Sequence, residues 1–142
     1  MMAKKEVKLL LVEDDEVDVI GVKKALKQLR IANAVFHAYD GVEGLDYLRG
    51  TNGKEKLDPP YIILLDLNMP RMGGIEFLKE IRKDADLRKA IVFVMTTSSD
   101  ERDVYAAYDN NIAGYVVKSD AETTITKALS MLDHYWRIVE LP

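Results

Sequence analysis

Cysteine is absent from the 142 residues, which removes disulfides, thiolate catalysis and cysteine-ligated metals in one step. A reducing, cytoplasmic setting is the expectation that goes with that absence. No apolar run approaches the roughly 20 residues of a membrane span. The polar start from Met1 to Lys8 leads into only four apolar residues, too few for the apolar region of a signal peptide. Positive charge is also in short supply. With 20 basic residues against 24 acidic ones the formal charge is -4, so neither nucleic-acid phosphates nor an anionic membrane is drawn to the surface as a whole. Proline (4) and glycine (8) are too few for a low-complexity chain, and no internal repeat is visible. What is present is ordinary globular composition, 31% charged and 48% hydrophobic, at a length that predicts one domain over residues 1–142.

Short apolar runs predict five strands, at Val7 to Val12, Ala34 to Ala38, Tyr61 to Leu65, Ala90 to Met95 and Tyr115 to Val117. Between them, apolar residues recur at steps of three and four: Val19, Val22, Leu26 and Leu29, then Gly74, Phe77, Leu78 and Ile81, and finally Ile125, Ala128, Leu129, Leu132 and Trp136. Weaker helical stretches fill Val42 to Arg49 and Ser99 to Asn110. Strand followed by helix, five times over, predicts an α/β fold with a doubly wound parallel sheet. The continuous apolar character of Ile62 to Leu65 and of Ile91 to Val94 suits interior strands covered on both faces. The turn-rich segment Gly50 to Pro60 reads as an exposed loop before the third strand.

The first strand runs straight into Glu13, Asp14, Asp15 and Glu16. Acids in a first helical turn are stabilised by the helix dipole, about 0.3 to 1 kcal/mol each, so this run alone has a structural explanation. The third strand ends at Asp66, followed by Leu67, Asn68, Met69, Pro70 and the pair Gly73 and Gly74; a single Asp there could simply cap a helix. Together the two sites say more. Open parallel sheets bind ligands at the carboxyl ends of their strands, and a 2-1-3-4-5 order makes strands one and three neighbours. That order brings Glu13 and Asp14 close to Asp66, where like charges need a cation. Hard oxygen ligands with room for water and phosphate point to Mg²⁺.

The fourth strand ends at Thr96 and the fifth at Lys118. Separately, Thr96 is open to reading as a helix cap and Lys118 as a solvated surface lysine. Around one crevice, however, a carboxylate nucleophile, a metal, a hydroxyl and an ammonium are what a phosphoryl group needs. The chemistry reads as aspartyl phosphorylation.

At this point LLVEDD, LLDLNMPRMGG, VFVMTTSS and GYVVK together resemble the receiver domains of bacterial two-component response regulators, in order and spacing, over nearly the whole chain. The resemblance implies a flavodoxin-like receiver fold with Asp66 as phosphoacceptor. It makes Asp14 a direct metal ligand, Glu13 a ligand through water and Asn68 a ligand through its backbone carbonyl. Thr96 and Lys118 would contact the phosphoryl group, and Tyr115 matches the aromatic switch position that responds to Thr96. The ending HYWRIVELP and the long loop before Asp66 look like the stand-alone receivers, without an output domain, that serve phytochrome-type histidine kinases. Such relatives pair through the fourth helix, fifth strand and fifth helix. Tyr105, Tyr108, Tyr115, Tyr135 and Trp136 therefore read as either core or dimer contact. The sequence departs from the family in placing Ser119 after Lys118, where a proline held in a cis peptide is usual, and Thr97 where a smaller residue is common.

Two competing functions are distinguishable. A Mg²⁺-dependent aspartyl phosphatase of the haloacid dehalogenase type needs a general acid two residues after its nucleophile, and that position is Asn68, whose amide cannot serve. A phosphorylation-independent binding module of the same fold predicts association unchanged by phosphate. His37, in a strand, and His134, on an ordinary helix, read as structural or solvated rather than as phosphotransfer groups.

Overall fold

The computed structural model describes residues 6–118 and 121–142. Among the described residues five strands alternate with five helices: β1 (Lys8–Val12), α1 (Glu16–Gln28), β2 (Val35–Ala38), α2 (Gly41–Arg49), β3 (Tyr61–Leu65), α3 (Gly74–Lys83), β4 (Ile91–Thr96), α4 (Glu101–Asp109), β5 (Gly114–Val117) and α5 (Ala121–Ile138). All neighbouring strands pair in parallel in the order β2-β1-β3-β4-β5, as the sequence predicts. Chain direction reverses its march across the sheet between β1 and β3, so their carboxyl ends lie side by side, with Val12 opposite Leu65.

The continuous apolar strands split residue by residue between two layers. Leu9, Leu11, Ile62, Leu64, Phe93 and Met95 face one core shared with α1 and α5, while Leu10, Val12, Ile63, Leu65, Val92 and Val94 face a second core shared with α2, α3 and α4. Successive strand side chains point to opposite faces, so a strand covered on both sides must be apolar at every position. On the helices, Val19, Val22 and Leu26 of α1 and Ile125, Leu129 and Leu132 of α5 bury the predicted stripe, as do Phe77, Leu78 and Ile81 of α3.

Boundaries differ from the expectation by a residue or two where capping decides them. The helical stretch expected from Ser99 begins only at Glu101, because Asp100 caps α4 by accepting from the Arg102 amide at 2.9 Å. The segment Gly50 to Pro60 is mostly exposed, yet Leu57 is buried in the second core and its amide donates to the Tyr47 carbonyl at 2.9 Å. The aromatic residues also separate. Trp136 is buried in the first core and Tyr135 packs edge-on against Phe93, with ring centroids 5.2 Å apart, whereas Tyr105 and Tyr108 are exposed on α4.

Candidate functional site

The tip of β1 is fixed by backbone pairing that continues past the strand: the Glu13 amide donates to the Ala38 carbonyl at 2.9 Å, and the Asp66 amide donates to the Val12 carbonyl at 3.0 Å. These bonds set Glu13 and Asp66 on adjacent strands at one edge. Carboxylate oxygens of Glu13, Asp14 and Asp66 can all lie within 4.8 Å of one another, with Glu13 and Asp66 buried and Asp14 exposed. Three of the four consecutive acids after β1 thus divide into two jobs. Asp15 is the N-cap of α1, accepting from the Val17 amide at 2.9 Å, and Glu13 and Asp14 belong to the cluster.

Asp66 is no helix cap. Its Oδ1 accepts from the Leu67 amide at 2.9 Å, while α3 begins after Gly73, which offers no side chain. The glycine pair has a packing reason here. A Cβ on Gly74 would stand 2.5 Å from the Asp66 carbonyl oxygen and 2.7 Å from the Leu67 Cα, so only glycine lets α3 approach the tip of β3 this closely. Asn68 is exposed on the same loop, two residues beyond Asp66.

Thr96 and Lys118 reach the same edge from the other side. Thr96 is fully buried at the end of β4, and its Oγ1 accepts from the Ser98 amide at 3.5 Å; the cap of α4 is Asp100 instead. Lys118 follows β5 and its side chain is only 3% exposed, which ends its reading as a solvated lysine. Its Nζ donates to Glu13 Oε2 at 3.0 Å and to Asp18 Oδ2 at 2.7 Å. Asp18 is absent from the sequence-level candidates. Its signal is position: it stands in the first turn of α1, three residues beyond the capping Asp15 and next to the strand tips.

Burial pushes the Glu13 carboxyl up to about 7 from 4.5, reinforced by the nearby Asp66 charge and opposed by Lys118. Burial works against the Lys118 ammonium too, but the hydrogen bond to Asp18 and the charges of Glu13 and Asp66 outweigh it, and the lysine is held above its ordinary value. A buried carboxyl raised to near neutrality beside two further acids is a site short of positive charge. The donor set, three carboxylates, suits a hard divalent cation of the Mg²⁺ or Mn²⁺ kind.

Further structure surrounds the cluster. Asp40, buried at the N-cap of α2, accepts from Arg71 Nε at 2.7 Å and from Nη2 at 3.1 Å, tying the loop after β3 to α2. Neither residue was among the candidates, since an arginine in a polar loop gives no sequence cue to its partner. Tyr115 lies half-buried on β5 with its hydroxyl donating to the Ser98 carbonyl at 2.7 Å, and Ser98 in turn donates to Asp103 on α4. His37 pairs through Nε2 with the Glu13 carbonyl at 2.7 Å, and His134 through Nδ1 with the Ser130 carbonyl at 2.8 Å, both structural roles. Thr97 is exposed; the Lys118–Ser119 peptide lies outside the described residues.

Comparison with known proteins meets this geometry from outside. The response regulator receiver domain matches residues 9–130. The response regulator Rcp1 of Synechocystis is 35% identical over 135 residues, covering 94% of this chain and 92% of that protein. Among solved structures, the phosphorylated cyanobacterial phytochrome response regulator RcpA superposes with a TM-score of 0.87 at 32% identity, over 97% of this chain and 99% of that one. The Mn²⁺-bound form of Rcp1 does so with a TM-score of 0.84 at 34% identity, over 96% and 99%. A parallel sheet in this order, acids at its switch point and a match over most of the length lead to one conclusion: the chain belongs to the response regulator receiver domain family.

Proposed function

We propose that this protein is a receiver in a two-component phosphorelay, taking a phosphoryl group on Asp66 from a phosphohistidine of a histidine kinase. The observation that carries this reading is the meeting of Glu13, Asp14 and Asp66 at the adjoining tips of β1 and β3, with Thr96 and Lys118 closing the same edge. In the transfer, an Asp66 carboxylate oxygen forms the new phosphorus–oxygen bond while the phosphorus–nitrogen bond of the donor breaks, and the imidazole leaves. Asp14, Asp66 and the Asn68 backbone carbonyl, with Glu13 through water, would hold Mg²⁺, which would neutralise charge on the phosphoryl oxygens when bound. Thr96 contributes a hydroxyl and Lys118 an ammonium to the same oxygens. Turnover is not the output: the expected chemistry is phosphorylation from the kinase or a small donor, followed by slow self-hydrolysis.

The kinase is proposed to be of phytochrome type, because the similar solved structures include the cyanobacterial phytochrome response regulator RcpA and the bacteriophytochrome response regulator AtBRR, each 32% identical. The chain is read as a single receiver unit that works in the cytoplasm without contacting nucleic acid or membrane; among the described residues no helix is long and apolar enough to cross a bilayer. Signal output is assigned to a homodimer through α4, β5 and α5, where Tyr105, Tyr108, Val117 and Met131 are exposed, with Thr96 and Tyr115 as the switch pair.

The decisive experiment is acid-labile labelling by acetyl phosphate with Mg²⁺. Wild type takes up label and Asp66→Ala takes up none; label retained by the variant overturns the assignment of Asp66. Dimerisation is read in parallel from the solution mass with and without beryllofluoride, and an unchanged mass refutes a phosphorylation-dependent dimer.

A further inference from the structure

Lys118 is restrained before any phosphate arrives. Its ammonium has three N–H donors, and two of them are engaged by carboxylates, Glu13 at 3.0 Å and Asp18 at 2.7 Å. Asp18 is not a wandering surface acid. Its amide donates to the capping Asp15 carboxylate at 3.4 Å, and the next residue, Val19, is buried in the core beneath α1. Its side chain is 16% exposed, which leaves the ion pair mostly out of water, where screening is weak. Hydrogen bonds between charged partners are about twice as strong as neutral ones. The third donor remains for a phosphoryl oxygen, and any displacement of the ammonium toward Asp66 stretches its bond to Asp18.

We infer that Asp18 is a positioning residue that tethers Lys118 to α1 in the unphosphorylated protein and thereby lowers the phosphorylated fraction of Asp66. Glu13 is a different case, because its carboxylate belongs to the acidic cluster itself. Asp18 lies outside that cluster, so drawing the ammonium toward a phosphoryl group weakens this contact and the contact favours the unphosphorylated state. The inference rests on the Asp66 reading, and the experiment separates the two.

The full chain is incubated with acetyl phosphate and Mg²⁺; the acyl phosphate bond breaks, acetate leaves and the phosphoryl group passes to Asp66. Labelled and unlabelled protein are resolved at steady state, and decay is followed after donor removal. Asp18→Asn keeps an acceptor but removes the charge, and the ratio of labelled to unlabelled protein rises about fivefold, equivalent to ~1 kcal/mol at 1.4 kcal/mol per decade. Asp18→Glu restores the carboxylate and returns the ratio toward wild type. In a Lys118→Met background the Asp18→Asn substitution has no further effect on the labelled ratio, as required if Asp18 acts through Lys118. Should the double variant fail to fold, the contrast between Asn and Glu at position 18 decides alone. An unlabelled wild type defeats the Asp66 reading. A labelled wild type with an unchanged or lowered ratio in Asp18→Asn defeats the tether and leaves that reading standing.

Discussion

Glu13 makes the stability of the metal-free protein fall as pH rises, against the usual behaviour of a carboxylate. Its pKa stands at about 7 in the folded chain against 4.5 for the ordinary group, with burial as the leading cause and Asp66 as the second. Between those values the folded state carries a proton that the unfolded state has already lost, so each pH unit removes stability. Below the ordinary value both states are protonated and the penalty is absent; above about 7 it is fully present. At ~1.4 kcal/mol per pH unit the interval amounts to about 3 kcal/mol, or about 6 to 12 °C in melting temperature for a chain of this size. Asp40, Asp84 and Asp100 are held below their ordinary values, so their contributions are lost only on the acid side of this window. The assay is thermal unfolding followed by circular dichroism from about pH 5 to about pH 7.5, with EDTA and with saturating Mg²⁺. Metal bound at the cluster requires ionised carboxylates and abolishes the slope, so its stabilising effect is larger at the alkaline end. Glu13→Gln keeps an amide oxygen for Lys118 but cannot ionise, and it flattens the metal-free curve. A metal-free stability that stays level or climbs across the window refutes the reasoning, as does a slope that survives in Glu13→Gln.

Other parts of the molecule give sharper mechanical tests. Arg71→Ala leaves the buried Asp40 carboxylate without its two guanidinium bonds and costs about 1 to 3 kcal/mol in urea unfolding; an unchanged midpoint contradicts the clasp. Gly74→Ala drives a methyl into the Asp66 carbonyl and Leu67, and it lowers both the melting temperature and the rate of acetyl phosphate labelling, whereas the same change at the open Gly53 does not disturb labelling. Phe77→Ala empties a fully buried ring position in the second core and costs about 3 to 5 kcal/mol, read from denaturant unfolding.

The sheet was legible because interior strands of a parallel sheet advertise themselves. Ile62 to Leu65 and Ile91 to Val94 are apolar without a break, and each residue proves to serve one of two cores. Acids at the ends of β1 and β3 were legible for a related reason, since topology alone dictates which strand tips adjoin. Side-chain partnerships were not. That Lys118 chooses Asp18, 100 residues away, depends on how far α1 leans over the strand tips, and no periodicity records it. Arg71 and Asp40 escaped for the same reason, 31 residues apart on loop and cap. The aromatic residues at the C-terminal end were ambiguous because the helical stripe of α5 continues to Trp136, which is buried, while α4 turns Tyr105 and Tyr108 outward from a helix with few buried residues.

One bond, from Lys118 to Glu13, spans 105 residues. Its cationic half arrives on an edge strand that docks only after a long stretch of chain has closed into a loop, and contacts of such sequence separation come late in assembly. A chain without β5 in place would lack the ammonium that pairs with Glu13 in the acidic cluster. The charge balance of the acidic cluster is thereby tied to completion of the sheet.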